Sequence, residues 1–156
     1  MPPAFRLRPE TPADEAFVGA LLADMKAAEF APLGLSPDQL APLLEMQVRV
    51  YRAGLAADFP DARRHMVTLD DGTAAGYLAV ADTGTALHVV QIMVAPPLRR
   101  HGLGIALLAT VLDEAAARGL PVRLRVAPLN PARRLYTRLG FREVGLDGPT
   151  LTMQWG

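Results

Sequence analysis

The stretch from Leu87 to Gly104 constrains this chain more than any other. Leu87–Val94 is apolar almost throughout. As a strand it has no face for solvent, so it must be central and covered on both sides. Pro96-Pro97 ends it, because proline cannot donate to a central ladder. Arg99-Arg100-His101-Gly102-Leu103-Gly104 then opens a helical pattern that runs to about Arg118. Leu107, Leu108, Val111, Leu112 and Ala115 form its apolar stripe, and Gly119 is its stop.

The flanking segments supply the partners such a strand needs. Phe5–Arg8 alternates and reads as a strand. Thr11-Pro12-Ala13-Asp14 starts a helix that carries Phe17, Leu21, Leu22 and Met25 on one face. Ser36-Pro37-Asp38-Gln39 is a capping box, and its helix runs toward Gly54. His65–Leu69, Ala75–Val80 and Leu87–Val94 are strands separated by Asp-Gly and Thr-Gly turns. Beyond the long helix come strand Pro121–Val126, a short helix from Asn130 to Leu139, and strands Arg142–Gly145 and Thr150–Gln154. The order β-α-α-β-β-β-α-β-α-β-β predicts a single α/β (α+β) domain over residues 1–156.

Composition closes several routes. There is no cysteine, so no disulfide, thiolate nucleophile or Cys-ligated zinc can form. Ser36 is the only serine, and Gly34-Leu35-Ser36-Pro37-Asp38 lacks the second glycine of a nucleophile elbow. His65, His88 and His101 have no metal-ligand spacing, so no metal is expected. The first residues lack an apolar signal core, and no run approaches a membrane span. The expectation is a cytoplasmic protein with neither membrane nor nucleic acid as partner; a homodimer is compatible with the sequence. The formal net charge is +0, but residues 99–142 carry nine arginines against two acids. That local excess points to a specific anionic ligand rather than a general polyanion. Residues 1–98 carry an excess of acids, twelve against seven bases, which favours a cationic partner on that side.

The loop after the central strand is built for an anion. Two glycines at a helix N-terminus let a phosphate approach unpaired N–H groups, and Arg99 and Arg100 add charge beside them. It is not a P-loop, since no lysine follows the glycines. It is not a dinucleotide fingerprint either: Leu107 stands where a third small residue belongs, and Leu120–Val126 has no acid.

Arg99-x-x-Gly102-x-Gly104 resembles the Q/R-x-x-G-x-G/A pyrophosphate loop of the GCN5-related N-acetyltransferases. Asn130-Pro131-Ala132-Arg133-Arg134-Leu135-Tyr136-Thr137-Arg138-Leu139-Gly140-Phe141 is similar to that family's N-x-A-x-x-L-Y-x-x-x-G-F segment. The likeness is close over residues 87–145. It implies a mixed central sheet in which strands four and five splay to admit the pantetheine arm of acetyl-CoA. It implies that the backbone of Ile92, Met93 and Val94 binds that arm and polarises the thioester. The loop amides of Arg99, Arg100, His101, Gly102, Leu103 and Gly104 would hold the pyrophosphate, and Asn130 would contact the arm. Tyr136 would protonate the departing thiolate, a task a phenol with a free pKa of about 10 can perform.

The function so implied is acetyl-CoA-dependent N-acetylation of a primary amine, on a small molecule or a peptide, by direct attack in a ternary complex. The sequence departs from the family at the base: no acid lies between Thr85 and Ala95. His88 is the titratable candidate on that strand. Asp82, Glu29 and bulk water are the alternatives. The same departure keeps open a non-catalytic acyl-CoA-binding module. Arg133, Arg134 and Arg138 read as solvated helix-face charges.

Overall fold

A computed structural model describes residues 2–156. Seven strands form one sheet: β1 (Phe5–Pro9), β2 (Arg63–Leu69), β3 (Ala74–Asp82), β4 (Leu87–Val94), β5 (Val122–Val126), β6 (Arg142–Asp147) and β7 (Thr150–Trp155). The helices are α1 (Glu15–Phe30), α2 (Pro37–Asp58), α3 (Leu103–Arg118) and α4 (Ala132–Arg138). The spatial order is β1-β2-β3-β4-β5-β7-β6, antiparallel throughout except for the parallel pair β4–β5. The predicted order of elements and the mixed α/β class hold. Among the described residues no helix is long and apolar enough to cross a membrane.

Local signals act as expected. Ser36 Oγ accepts from Gln39 N–H at 3.3 Å while Gln39 Oε1 accepts from Ser36 N–H at 3.0 Å, closing the capping box of α2. Thr11 N–H donates to Asp14 Oδ2 at 2.8 Å, and a short 3-10 turn, Pro12–Asp14, leads into α1. Asp14 also takes both Arg8 Nη1 (2.8 Å) and Nη2 (2.7 Å), tying the start of α1 to β1. The Arg8 guanidinium and these hydrogen bonds hold the Asp14 carboxyl far below the usual carboxylate range. The α2 helix runs past Gly54 to Asp58, because one glycine costs only about 1 kcal/mol in a helix interior.

The sheet separates two apolar layers. On one face Leu108, Val111 and Ala115 of α3 pack against Leu78, Val80, Leu87, Val89, Val122 and Leu124. On the other, Val18, Leu21 and Leu22 of α1 pack against Met66, Tyr77, Ala79 and Met93. Leu103 and Leu107 close the end of the α3 face against Val67 and Ala75. β4 therefore has helices over both faces, as its unbroken apolar sequence demands.

Candidate active site

Two irregularities of β4 shape the site. The first is where its parallel pairing ends. Leu87, His88 and Val89 pair with Val122, Arg123 and Leu124, and there the ladder stops, although β4 continues to Val94 and β5 to Val126. The two strands splay, leaving the β5-side edge of Val90–Val94 unpaired. The second is a bulge. Val80 pairs with Val89 but Ala79 pairs with Gln91, so Val90 is the extra residue. One extra residue shifts the side-chain alternation by one. His88, Val90, Gln91 and Met93 therefore share the α1–α2 face, while Ile92 and Val94 pack with α3.

Backbone direction follows the same logic. Ala95 N–H donates to Ala75 O at 2.8 Å, toward β3. Peptide groups alternate along a strand, so Met93 also faces β3 while Ile92 and Val94 face the splay. Gly76 shows how tight the β3 side is: a Cβ there would lie 2.4 Å from Met93 O. Of the three residues the resemblance assigns to the pantetheine arm, two thus offer backbone groups to the gap and Met93 is turned to β3. The Val94 carbonyl already accepts from Arg99 Nε at 2.9 Å.

Pro96–Leu98 turn the chain from β4 into the loop. Arg100 is left-handed at φ 66°, the only non-glycine described residue with positive φ, and Gly102 follows at φ 80° as N-cap of α3. The first intrahelical bond runs from Ala106 N–H to Gly102 O (3.0 Å), so the amides of Leu103, Gly104 and Ile105 precede it and have no acceptor within the helix. No acid stands in the first turn. A Cβ on Gly104 would meet only Val94 Cγ2, at an ordinary 3.9 Å, so packing within the protein does not require a glycine there. Arg99 reaches back over this corner and pairs with Asp24 of α1 at 2.9 Å. Arg100 and His101 are exposed, and Leu103 is buried.

Tyr136 lies on the α3 face with Ile92, against the same core, its ring 5.8 Å from Phe141. Burial raises its pKa, so it stays protonated at neutral pH. Its hydroxyl makes no hydrogen bond to the described residues, yet it is not among enclosed polar atoms lacking partners. It therefore opens onto accessible space. Asn130 Oδ1 accepts from Ala132 N–H at 2.9 Å and so starts α4, beside a surface concavity lined by Pro128, Leu129, Arg133, Arg134 and Thr137. Arg133 is held by Glu143 and by the Pro128 carbonyl, while Arg134 and Arg138 are exposed.

His88 is on the other face, at the closed end of the splay, stacked on Phe59 with ring centroids 4.7 Å apart. Burial, then Arg125 and Arg123, lowers its pKa to about 4. The structure does not bring His88 and Tyr136 together; the sheet lies between them. Asp82 is also remote, pairing with Arg118 at 2.8 Å beyond the closed end. Near the bulge, Tyr51 Oη donates to Gln91 Oε1 at 2.5 Å, and Gln91 Nε2 lies 3.7 Å from Met25 Sδ. Glu29 is close enough that its charge, after burial, helps raise the Tyr51 phenol. Beneath α2 lies a cavity of about 370 Å³ lined by Gln91, Tyr77, Glu10, Arg52, Arg64 and apolar residues of α1 and α2. The sequence reading missed Glu10, Tyr77 and Arg64, since no local spacing joins the end of β1 to residues of β2 and β3. Among the described residues no three His, Cys, Asp or Glu side chains come together as a metal-binding group.

The comparisons with known proteins agree with this geometry. The chain is 43% identical over 79 residues to a mycothiol acetyltransferase of Clavibacter michiganensis, covering 49% of this chain and 26% of the relative. A mycothiol acetyltransferase of Mycolicibacterium vanbaalenii is 36% identical over 83 residues, 52% of this chain and 27% of the relative. The chain thus spans about a quarter of the length of these curated relatives. The structure superposes on the PaiA N-acetyltransferase of Thermoplasma acidophilum, solved with coenzyme A, with TM-score 0.71 at 14% identity, covering 97% of this chain and 98% of that one. A family model described as "Acetyltransferase (GNAT) family" matches residues 34–141. A central strand splayed from its parallel neighbour, a glycine-opened helix beside it and a matching family model place this chain in the acetyltransferase (GNAT) family.

Proposed function

We propose that this acetyltransferase moves an acetyl group from acetyl-CoA to a primary amine by direct attack in a ternary complex. The observation that carries the reading is the unpaired edge of Val90–Val94 opening beside the free amides of α3. The Ile92 and Val94 peptide groups accept the pantetheine arm as an added strand and polarise the thioester carbonyl. The amides of Leu103 and Gly104, with those of Arg100, His101 and Gly102, receive the pyrophosphate; the Arg99 amide, expected to join them, instead donates to Pro96 O at 3.3 Å, and Gly104 keeps a side chain out of the way. Asn130 contributes its amide N–H₂ to the arm, its oxygen being committed to Ala132.

The amine nitrogen, after losing a proton, bonds to the acetyl carbon. The tetrahedral intermediate collapses with rupture of the C–S bond. Tyr136 gives its proton to the sulfur, and CoA leaves as the thiol. Deprotonation of the amine falls to Glu29 through water held at Tyr51 and Gln91, since the Glu29 charge reaches Tyr51, whose hydroxyl donates to Gln91, while Glu10 is taken by Tyr77 and Arg52. His88 remains the alternative; a histidine titrating at about 4 is unprotonated at neutral pH but a feeble base.

Incubation with acetyl-CoA and an amine panel, followed by free-thiol release and mass analysis of products, tests this reading. Stoichiometric thiol and N-acetyl product are expected. Clear acetyl-CoA binding with no turnover on any amine would favour the acyl-CoA-binding module instead.

A further inference from the structure

The cavity beneath α2 is charged at one end only. Glu10 N–H donates to Arg64 O at 3.0 Å; Arg64 pairs with Ala79, and Ala79 with Gln91. One row of the sheet thus runs from Glu10 to Gln91 across three strand spacings, about 14 Å between backbones. At the far end Tyr77 Oη donates to Glu10 Oε2 at 2.9 Å, and Arg52 Nη2 lies 3.9 Å from Glu10 Oε1. Glu10 is therefore satisfied twice, and its side chain is only 17% exposed. The Arg64 guanidinium makes neither hydrogen bond nor ion pair with the described residues, although it lines the same cavity. With Glu10 and both arginines ionised, the end carries one positive charge more than it neutralises. Between the charged end and Gln91 the walls are apolar: Val18, Leu22, Leu55 and two alanines.

We infer that this cavity is the acceptor pocket and that it selects amines bearing a carboxylate at the far end of an apolar spacer, the carboxylate held by Arg64 and Arg52 and the amine presented at Gln91. The inference rests on the acetyl-transfer reading and names the substrate class for it. It runs against what the regional charge suggests. Residues 1–98 are acidic in sum, but most of those acids lie outside the cavity, and the groups that line it favour an anion. A guanidinium with no partner, at the mouth of a partly apolar cavity, suits a planar carboxylate bound through two N–H groups. A diamine would set a second ammonium against Arg64 and Arg52 with only an already paired Glu10 to receive it.

A matched series tests this: 6-aminohexanoate, hexylamine and 1,6-diaminohexane, measured for acetylation rate and, without acetyl-CoA, for equilibrium binding by calorimetry. The ω-amino acid is expected to show the highest kcat/KM and the tightest binding. Arg64→Gln should raise its KM about tenfold to a hundredfold, the effect of losing a charge-assisted contact, with a much smaller change for hexylamine, which has no carboxylate to lose. Arg64→Glu should shift the preference toward the diamine. Arg64 is exposed, so both variants are expected to fold. Equal turnover and equal binding of the three amines would overturn the carboxylate pocket and leave acetyl transfer standing. Absence of turnover with preferential, Arg64-dependent binding of the ω-amino acid would overturn transfer and support the pocket.

Discussion

The two faces of β4 differ in how they are built. The α3 face draws most of its proposed cofactor contacts from one contiguous stretch, with Asn130 and Tyr136 added from the α4 segment. Ile92, Val94, Arg99, Gly102 and Gly104 lie within thirteen positions, and backbone amides do most of the work. The α1–α2 face is assembled from distant pieces: Glu10, Glu29, Tyr51, Arg52, Arg64, Tyr77 and Gln91. In the proposed reading a constant ligand, the pyrophosphate arm, is met by the backbone, which tolerates few alternatives. In the same reading a variable ligand, the acceptor, is met by side chains that can change one at a time. The two faces should therefore respond to mutation separately.

The largest expected effect is at Gly104. Gly104→Glu should weaken acetyl-CoA binding by about a hundredfold or more, because it places a carboxylate against the amides proposed to hold phosphate. Calorimetric affinity checks this, and unchanged affinity would remove the loop from the cofactor side. Next is Gly76, where the faces share a support. Gly76→Ala sets a Cβ on the Met93 carbonyl and should cost about 1–3 kcal/mol. A Tm drop of about 2–4 °C per kcal/mol would report it. Unchanged Tm would mean that β3 does not hold β4 in place.

A smaller effect is expected from Tyr136→Phe, which should lower kcat about tenfold to a hundredfold with little change in acetyl-CoA affinity. A change confined to KM would reassign Tyr136 to packing. The smallest concerns His88. Its folded pKa, about 4, lies below the ordinary imidazole value of 6.5. The unfolded chain therefore binds a proton first, and stability should fall as pH drops from about 6.5 toward 4. In His88→Gln that slope should flatten, while kcat at neutral pH changes less than in Glu29→Gln. Denaturation midpoints at pH 7 and pH 5 give the first comparison. Parallel curves for both proteins would mean that His88 is not shielded.

The same contrast explains what could be read before the structure. Leu87–Val94 and Leu103–Arg118 have the boundaries their patterns predict, since the run of apolar residues, the proline pair and Gly102 and Gly119 are all local signals. The capping boxes of Thr11 and Ser36 are local as well. The bulge at Val90 was not legible. It depends on the register between β3 and β4, and nothing in Val89-Val90-Gln91 announces it. Without the bulge, parity puts His88 and Val90 on the face opposite Gln91, and the acceptor side cannot be assembled on paper. Nor does spacing reveal that Glu10 meets Tyr77 and Arg52, because those meetings follow from sheet order. The regional acid excess was legible, but it does not set the charge of the cavity, which depends on which side chains face inward: Glu10 against Arg52 and Arg64.

Amide hydrogen exchange with and without acetyl-CoA tests the division of labour most directly. Protection is predicted at Ile92 and Val94, through Arg99–Gly104 and around Asn130–Tyr136, with residues 10–64 unchanged. Protection centred on α1, α2 and Glu10, with none in the Arg99–Gly104 loop, would contradict the account.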